Sequence, residues 1–394
     1  MLKTISMPHN RSKIRRIAVI GAPVLQAQSS FNAALINYAT RQGNWRFVFS
    51  TEVSVQTLRF LRKLDCDGAL IRVTSPAIAR EAKKLSFPLV NFSSWLADPQ
   101  VPTVRCDNSM MGRLAAQHLL KKGFRRFGVV LSKGGWFIHP RQQSFLEAVE
   151  TAGFAANVST FQLRSHPADA NDLKRFREWV RRLQPPVGLF LTNDDPDAPV
   201  LMDACREAGK IIPRDVAVIT SHGHPEICRA CHPPLTYVDQ NEEGVALEAA
   251  KFLDRLMSGE ANAARTIIVP TGDVVALGST DTLALEDREV AHAVEFIRAH
   301  ISEPINIKDV AQHFSIARRT LERRFRSAMG ISLHDFQTGE RIARAQDLLR
   351  AKPALTFAEV ARRCGFVSAA RLNLVFRRVN GLNPAHWRAK NSSA

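Results

Sequence analysis

No apolar run in the chain approaches the roughly eighteen residues that a membrane span needs. The start carries Lys3, Arg11, Lys13, Arg15 and Arg16 but lacks the continuous apolar core of a secretory signal. Neither insertion nor export is expected, so the protein reads as cytoplasmic. Cysteine is scarce, six in 394 residues, which is no disulfide framework for so long a chain and fits a reducing compartment. There is no nucleophile elbow, phosphate loop or complete metal motif, so an enzyme is not expected and neither is a cofactor. Acidic residues are few beside basic ones, 37 Asp and Glu against 54 Lys and Arg, a formal charge of +17.

That excess predicts an anionic partner, and its distribution narrows the choice. Residues 287–394 hold 19 Lys and Arg against 10 Asp and Glu, while the first 286 hold 35 against 27. The last quarter is the more basic by density, as expected of a surface that meets DNA phosphates. At 45% hydrophobic and 23% charged residues the chain is globular, and it is long enough for two or three domains with real cores.

In that last quarter, residues 317–327 contain five arginines, which read as one face of a helix whose other face is Leu321, Phe325 and Met329. Residues 307–314 read as a shorter helix, and Ser315-Ile316 leaves room only for a tight turn. A cationic helix alone is more often a solvated face. Here the pattern recurs: Val310-Ala311 before Leu321 and Phe325 is matched about fifty residues on by Val360-Ala361 before Leu372 and Phe376. Two helix-turn-helix units joined by a helix over 333–349 are predicted.

The wording of this region, GISLHDF at 330–336, RIARA at 341–345, CGF at 364–366, FRR at 376–378 and GLNPAHWR at 381–388, resembles the DNA-binding domain of the AraC/XylS regulators. The resemblance implies base contacts from Arg318, Arg319, Glu322 and Arg323 in the first recognition helix. In the second it points to Ala369, Ala370, Arg371 and Leu374, an unusually apolar face. The first unit is expected to supply most base specificity, and the second mainly phosphate contacts through Arg371, Arg377 and Arg378.

Upstream, short apolar runs such as 16–20, 68–71, 127–131, 188–191 and 216–219 alternate with helical stretches of about ten residues, which means βαβ units and parallel sheets covered on both faces. Two successive series suggest two lobes with a ligand at the strand ends between them. The stretches TVRCDNSMMG at 103–112, AQHL at 116–119, GKIIPRDVAVI at 209–219 and PPLT at 233–236 resemble the LacI/GalR regulators and periplasmic sugar-binding proteins. That family crosses between lobes three times, here near 103–108, 236–240 and 265–272. Sensor followed by reader in this order resembles the XylR-type xylose regulators.

The expected fold is thus a two-lobe, periplasmic-binding-protein-like α/β sensor on parallel sheets, followed by an all-α domain with two helix-turn-helix units. Its boundaries are a basic extension at 1–13, the sensor at 14–280, a linker at 281–289 and the reader at 290–390. Expected ligand contacts are Arg141 and Asp194, whose alternative is an interlobe ion pair, and Trp95 and Trp136, although buried aromatics are more often core than platform. His222 stands where the family usually has an acidic residue, so an acidic sugar derivative is plausible. His222, His224, Cys228, Cys231 and His232 include ligand types that zinc prefers but also read as a surface loop, and they stay unassigned. Expected partners are double-stranded DNA, a sugar-like effector, RNA polymerase and a second copy of the chain, with no membrane. A sugar-acting α/β hydrolase is the rival reading.

Overall fold

The computed structural model describes residues 14–22, 30–42, 44–165, 167–192, 197–221, 224–260, 266–285, 287–351 and 355–391. Two compact units emerge, Met1–Asp281 and Thr282–Ala394.

The first unit runs β1 (Arg15–Ile20), α1 (Ser30–Gln42), β2 (Trp45–Ser50), α2 (Val55–Leu61), β3 (Gly68–Ile71), α3 (Pro76–Ala82), β4 (Leu89–Asn91), β5 (Thr103–Cys106), α4 (Asn108–Lys121), β6 (Phe127–Leu131), α5 (Ile138–Thr151), β7 (Val158–Gln162), α6 (Ala170–Arg182), β8 (Val187–Leu191), α7 (Asp197–Glu207), β9 (Val216–Thr220), α8 (Pro225–Ala230), β10 (Thr236–Val238), α9 (Glu242–Met257), β11 (Thr266–Val269) and β12 (Val274–Val275). They form two six-stranded sheets, ordered β11-β5-β4-β3-β1-β2 and β12-β10-β9-β8-β6-β7. Every pairing is parallel except β10 with β12. The three expected crossings are present: β5 to α4, β10 to α9, and β11 to β12. Strands β3, β8 and β9 are buried at every residue, because helices cover both faces of a parallel sheet. Helix starts are set locally: Ser54, Ser75 and Asp107 each accept a backbone N–H three residues on, and Pro76 fills the first turn of α3.

The second unit is helical: α10 (Arg288–Ala299), α11 (Ile307–His313), α12 (Arg318–Met329), α13 (Leu333–Ala351), α14 (Phe357–Arg363), α15 (Ala369–Asn380) and α16 (Pro384–Asn391). The internal repeat extends to stereochemistry. α11 and α14 each open with a capping box, Asn306 with Asp309 and Thr356 with Glu359. α12 and α15 each close on a glycine at φ 72°, Gly330 and Gly381. Each helix pair has its own core, and α13 serves both: Leu333 and Phe336 join Val310, Leu321 and Phe325, while Ile342, Ala345 and Leu349 join Val360, Leu372 and Phe376.

Within the stretch expected as a linker, Leu283 and Leu285 pack on the first helical core, and Asp287 caps α10 through the N–H groups of Glu289 and Val290. The five arginines of 317–327 do not share one face. Arg324 turns inward to form two hydrogen bonds with Asp287, at 2.6 and 2.7 Å, and pairs with Glu289 as well, because the acidic first turn of α10 lies against that side of α12.

Candidate functional site

Arg141 lies in the first turn of α5 with only 3% of its surface exposed. Its Nε donates to Asn108 Oδ1 at 2.9 Å, and Nη1 donates to the Thr192 carbonyl at 3.1 Å and to Ser221 Oγ at 3.0 Å. The guanidinium lies 4.6 Å from the centre of the Phe137 ring. One side chain thereby ties together the ends of β8 and β9 and the residue that follows the first crossing. Asn108 passes the connection on, donating to Ser94 Oγ at 3.0 Å in the loop after β4.

The tryptophans belong to the same place. The Trp136 N–H donates to the Trp95 carbonyl at 2.8 Å, joining the loop after β6 to the loop after β4. The Trp95 ring meets Phe137 edge-on at 5.8 Å, and Arg105 lies over Trp136 at 4.3 Å. Gly135 is obligatory here, since a Cβ would stand 2.7 Å from the Trp95 Cα. Both rings are half-buried, neither core nor free. The structure thus gathers Trp95, Trp136 and Arg141 at the strand ends between the lobes, while Asp194 and His222 lie outside the described residues.

Arg72, directly after β3, was not anticipated. Its Nε is buried without a hydrogen-bond partner, the guanidinium lies over Phe92 at 5.8 Å, and burial pushes its pKa down, partly countered by Glu242. A cation immediately after an apolar strand was the available signal.

The Cys-His stretch is not a surface loop. Cys228 and Cys231 are buried in the second lobe's core, on and just after α8, in the same apolar cluster as Leu235 and Tyr237, while His232 is exposed. All six cysteines are buried thiols. Among the described residues no cluster of His, Cys, Asp or Glu could hold a metal ion, and no helix is long and apolar enough to cross a membrane.

On the second unit, Arg319 and Arg323 are exposed on α12 and point away from the buried Leu321 and Phe325. Arg318 and Glu322 pair at 2.9 Å, one turn apart on the same surface. On α15, Ala370, Arg371, Arg377 and Arg378 are exposed, Ala369 is half-buried, and Leu374 is 63% exposed. Between α13 and α15 lies a pocket of about 140 Å³ lined by His334, Arg341, Phe366, Val367, Arg371 and Arg378.

Two exposed helices in tandem, both bearing guanidinium groups, are the parts of a DNA reader, and comparison with known proteins agrees. Residues 96–280 match a periplasmic binding protein-like domain and residues 310–390 a helix-turn-helix domain. The chain is similar to the xylose operon regulatory protein of Escherichia coli K12, 27% identical over 335 residues that make up 83% of this chain and 84% of that one. This chain is a DNA-binding transcription regulator. The counterpart from Haemophilus influenzae is 25% identical over 83% of the regulator and 86% of its own length. The solved structure of the xylose-binding transcription activator XylR aligns with a TM-score of 0.69 at 23% identity, covering 97% of the regulator and 99% of that chain, which shows the fold. A tandem of periplasmic-binding-protein-like sensor and AraC-type helix-turn-helix reader makes the regulator XylR-like.

Proposed function

We propose that the regulator responds to a small carbohydrate-like effector, a pentose, sugar acid or related derivative, held where the two lobes meet. The observation that carries this is Arg141, whose three hydrogen bonds reach two strand ends of one lobe and the residue after the first crossing. A ligand engaging that group and stacking on Trp95 or Trp136 would hold the lobes in one relative position, and only such differential contact can shift an equilibrium between lobe arrangements. Asp194 and His222 complete the proposed contacts. The relatives' names and the bound ribose of a LacI-family regulator from Enterococcus faecium, with a TM-score of 0.54, support a sugar as the effector class. No relative named above supports the hydrolase alternative, and the regulator works without turnover.

The proposed division keeps the sensor at 14–280 and starts the reader at 282 rather than 290, since Leu283, Leu285 and Asp287 pack on or cap its first helices. We place the regulator in the cytoplasm with its DNA, as a homodimer through the sensor that activates transcription by engaging RNA polymerase. Arg319, Glu322 and Arg323 would read bases, with Arg318 orienting Glu322, while Arg371, Arg377 and Arg378 would hold phosphates.

A thermal-shift screen of pentoses, hexoses, sugar acids and sugar phosphates tests the sensor. A ligand at a hundred times its dissociation constant stabilises by about 2.7 kcal/mol. The shift should vanish in Arg141→Ala and Asp194→Ala, and a folded protein unmoved by the whole panel would refute the cleft as the sensing site. Arg323→Ala should relax base choice at one position, at about 1–3 kcal/mol, whereas Arg377→Ala should weaken all sequences alike and lower the salt slope by about one.

A further inference from the structure

We propose that the second recognition helix reads an A·T-rich half-site by packing Val367, Ala370 and Leu374 on thymine 5-methyl groups and pairing Asn373 with an adenine edge. The proposal rests on the DNA-binding assignment and concerns what the second unit recognises.

The two helices are counterparts 51 residues apart, each ending on a glycine at φ 72°. Position by position, Arg319, Glu322 and Arg323 of α12 correspond to Ala370, Asn373 and Leu374 of α15. Leu372, Val375 and Phe376 are buried, so helical spacing sends Ala370 and Leu374 to the opposite side, and both are exposed. Val367, in the turn before the Ser368 cap, is 84% exposed, and Leu374 is 63% exposed. Leu374 therefore stands in solvent at the place where the first unit presents Arg323, and Val367 adds a second exposed aliphatic in the turn just before the helix.

The surroundings indicate the occupant. Arg371, Arg377 and Arg378 rim this apolar centre, all exposed. A cationic rim around an aliphatic centre matches a major groove, where phosphates flank the floor and the thymine methyl is the one apolar group on a base edge. Asn373, beside Leu374, is exposed and of the residue type that bonds adenine N6 and N7 together.

The test starts from duplexes selected by the full-length regulator from a random library. Loss of guanine dependence in Arg323→Ala assigns one half-site to the first unit. Thymines are then replaced by uracil in each half-site separately, which deletes only the methyl. In the second half-site affinity should fall by about fourfold per contacted methyl, the equivalent of burying one carbon. In the first it should change by less than about twofold on the same scale. Leu374→Ala should lose that uracil penalty while keeping the first half-site's preference, and its exposure leaves folding untouched.

No uracil penalty in either half-site, or a full penalty in Leu374→Ala, would overturn the proposal. So would a Leu374→Ala protein that binds DNA as the parent does but fails to activate, which would make the patch a protein contact. Failure to retain any duplex would overturn the DNA-binding reading itself, and the proposal with it.

Discussion

Gly112→Ala should both destabilise the sensor and silence it. Gly112 lies on α4, which packs along α5. A Cβ there would stand 2.0 Å from the Arg141 carbonyl oxygen and 2.4 Å from Ser144 Oγ, where ordinary contact begins at 3.4 Å. The first obstacle is backbone, so no rotamer relieves it and α5 must retreat by more than about 1 Å. Overpacking of this kind destabilises by about 1–3 kcal/mol, and a backbone obstacle belongs at the upper end. Alanine returns up to about 1 kcal/mol of helix propensity. The net loss is about 2 kcal/mol, or a fall of about 4–8 °C in melting temperature for a unit of this size. Arg141 moves with its helix, and its three bonds at 2.9–3.1 Å cannot survive that retreat together. Scanning calorimetry with and without the effector reads both consequences. An unchanged melting temperature with an intact effector shift would refute the reasoning.

Other expectations follow from the same coordinates. Gly339→Ala, in the exposed middle of α13 with nothing within 4 Å of the added carbon, should stabilise the second unit by about 0.5–1 kcal/mol in urea unfolding, and a loss would be contrary. His118 bonds Thr280 Oγ1 at 2.8 Å, and burial with nearby Lys122 and Lys121 pushes its pKa down to about 4. The unfolded chain takes up a proton below about pH 6.5 and the folded site resists until about 4, so the sensor should lose stability as pH falls across that window and be unaffected above it. With partial exposure screening the charge, the loss is about 1–2 kcal/mol. His118→Gln should flatten the pH profile of chemical unfolding. Asp287→Ala removes the α10 cap and unpairs Arg324, lowering second-unit stability by about 1 kcal/mol, measurable as an earlier denaturant midpoint.

Legibility followed apolar density. Strands with unbroken apolar runs, such as β1, β3 and β8, could be read directly, and the repeat of Val-Ala, Leu and Phe exposed both helix-turn-helix units. β7 escaped because Val158–Gln162 buries only Phe161, and a half-buried edge strand carries no apolar run. Arg324 was misassigned for a different reason. Its periodicity matches that of its neighbours, and only the acidic turn Asp287–Glu289, far away in sequence, decides which way it points. The same holds for Cys228 and Cys231, whose spacing suggested metal chemistry while Leu235 and Tyr237 drew them into a core. Trp95, Trp136 and Arg141 were each nameable, but that Asn108 and Phe137 bind them into one site is a tertiary fact. Arg72 had no motif at all.

The two readers differ in chemistry but not in scaffold, and α13 makes that difference consequential. One helix contributes Leu333 and Phe336 to the first core and Ile342, Ala345 and Leu349 to the second, so neither reader can shift along DNA without the other. The Arg298–Glu340 pair, with bonds at 2.9 and 3.2 Å, and Arg341, donating to the carbonyls of Glu303 and Ile305, fasten the same helix to α10 and the chain that follows it. Gly365 is pressed into this junction, where a Cβ would stand 2.5 Å from the Ile301 carbonyl. A rigid pair with unlike faces can match an operator in only one polarity. Had both helices carried the same side chains, a reversed site would differ for each only in the direction of its half-site and not in its composition. On the proposed contacts, with Arg319 and Arg323 on α12 and Ala370 and Leu374 at the matching places on α15, reversal would set Arg323 against methyls and leave Leu374 over unsatisfied guanine acceptors, a penalty incurred twice. On those contacts the asymmetry between Arg323 and Leu374 would strengthen the pair's preference for one operator polarity.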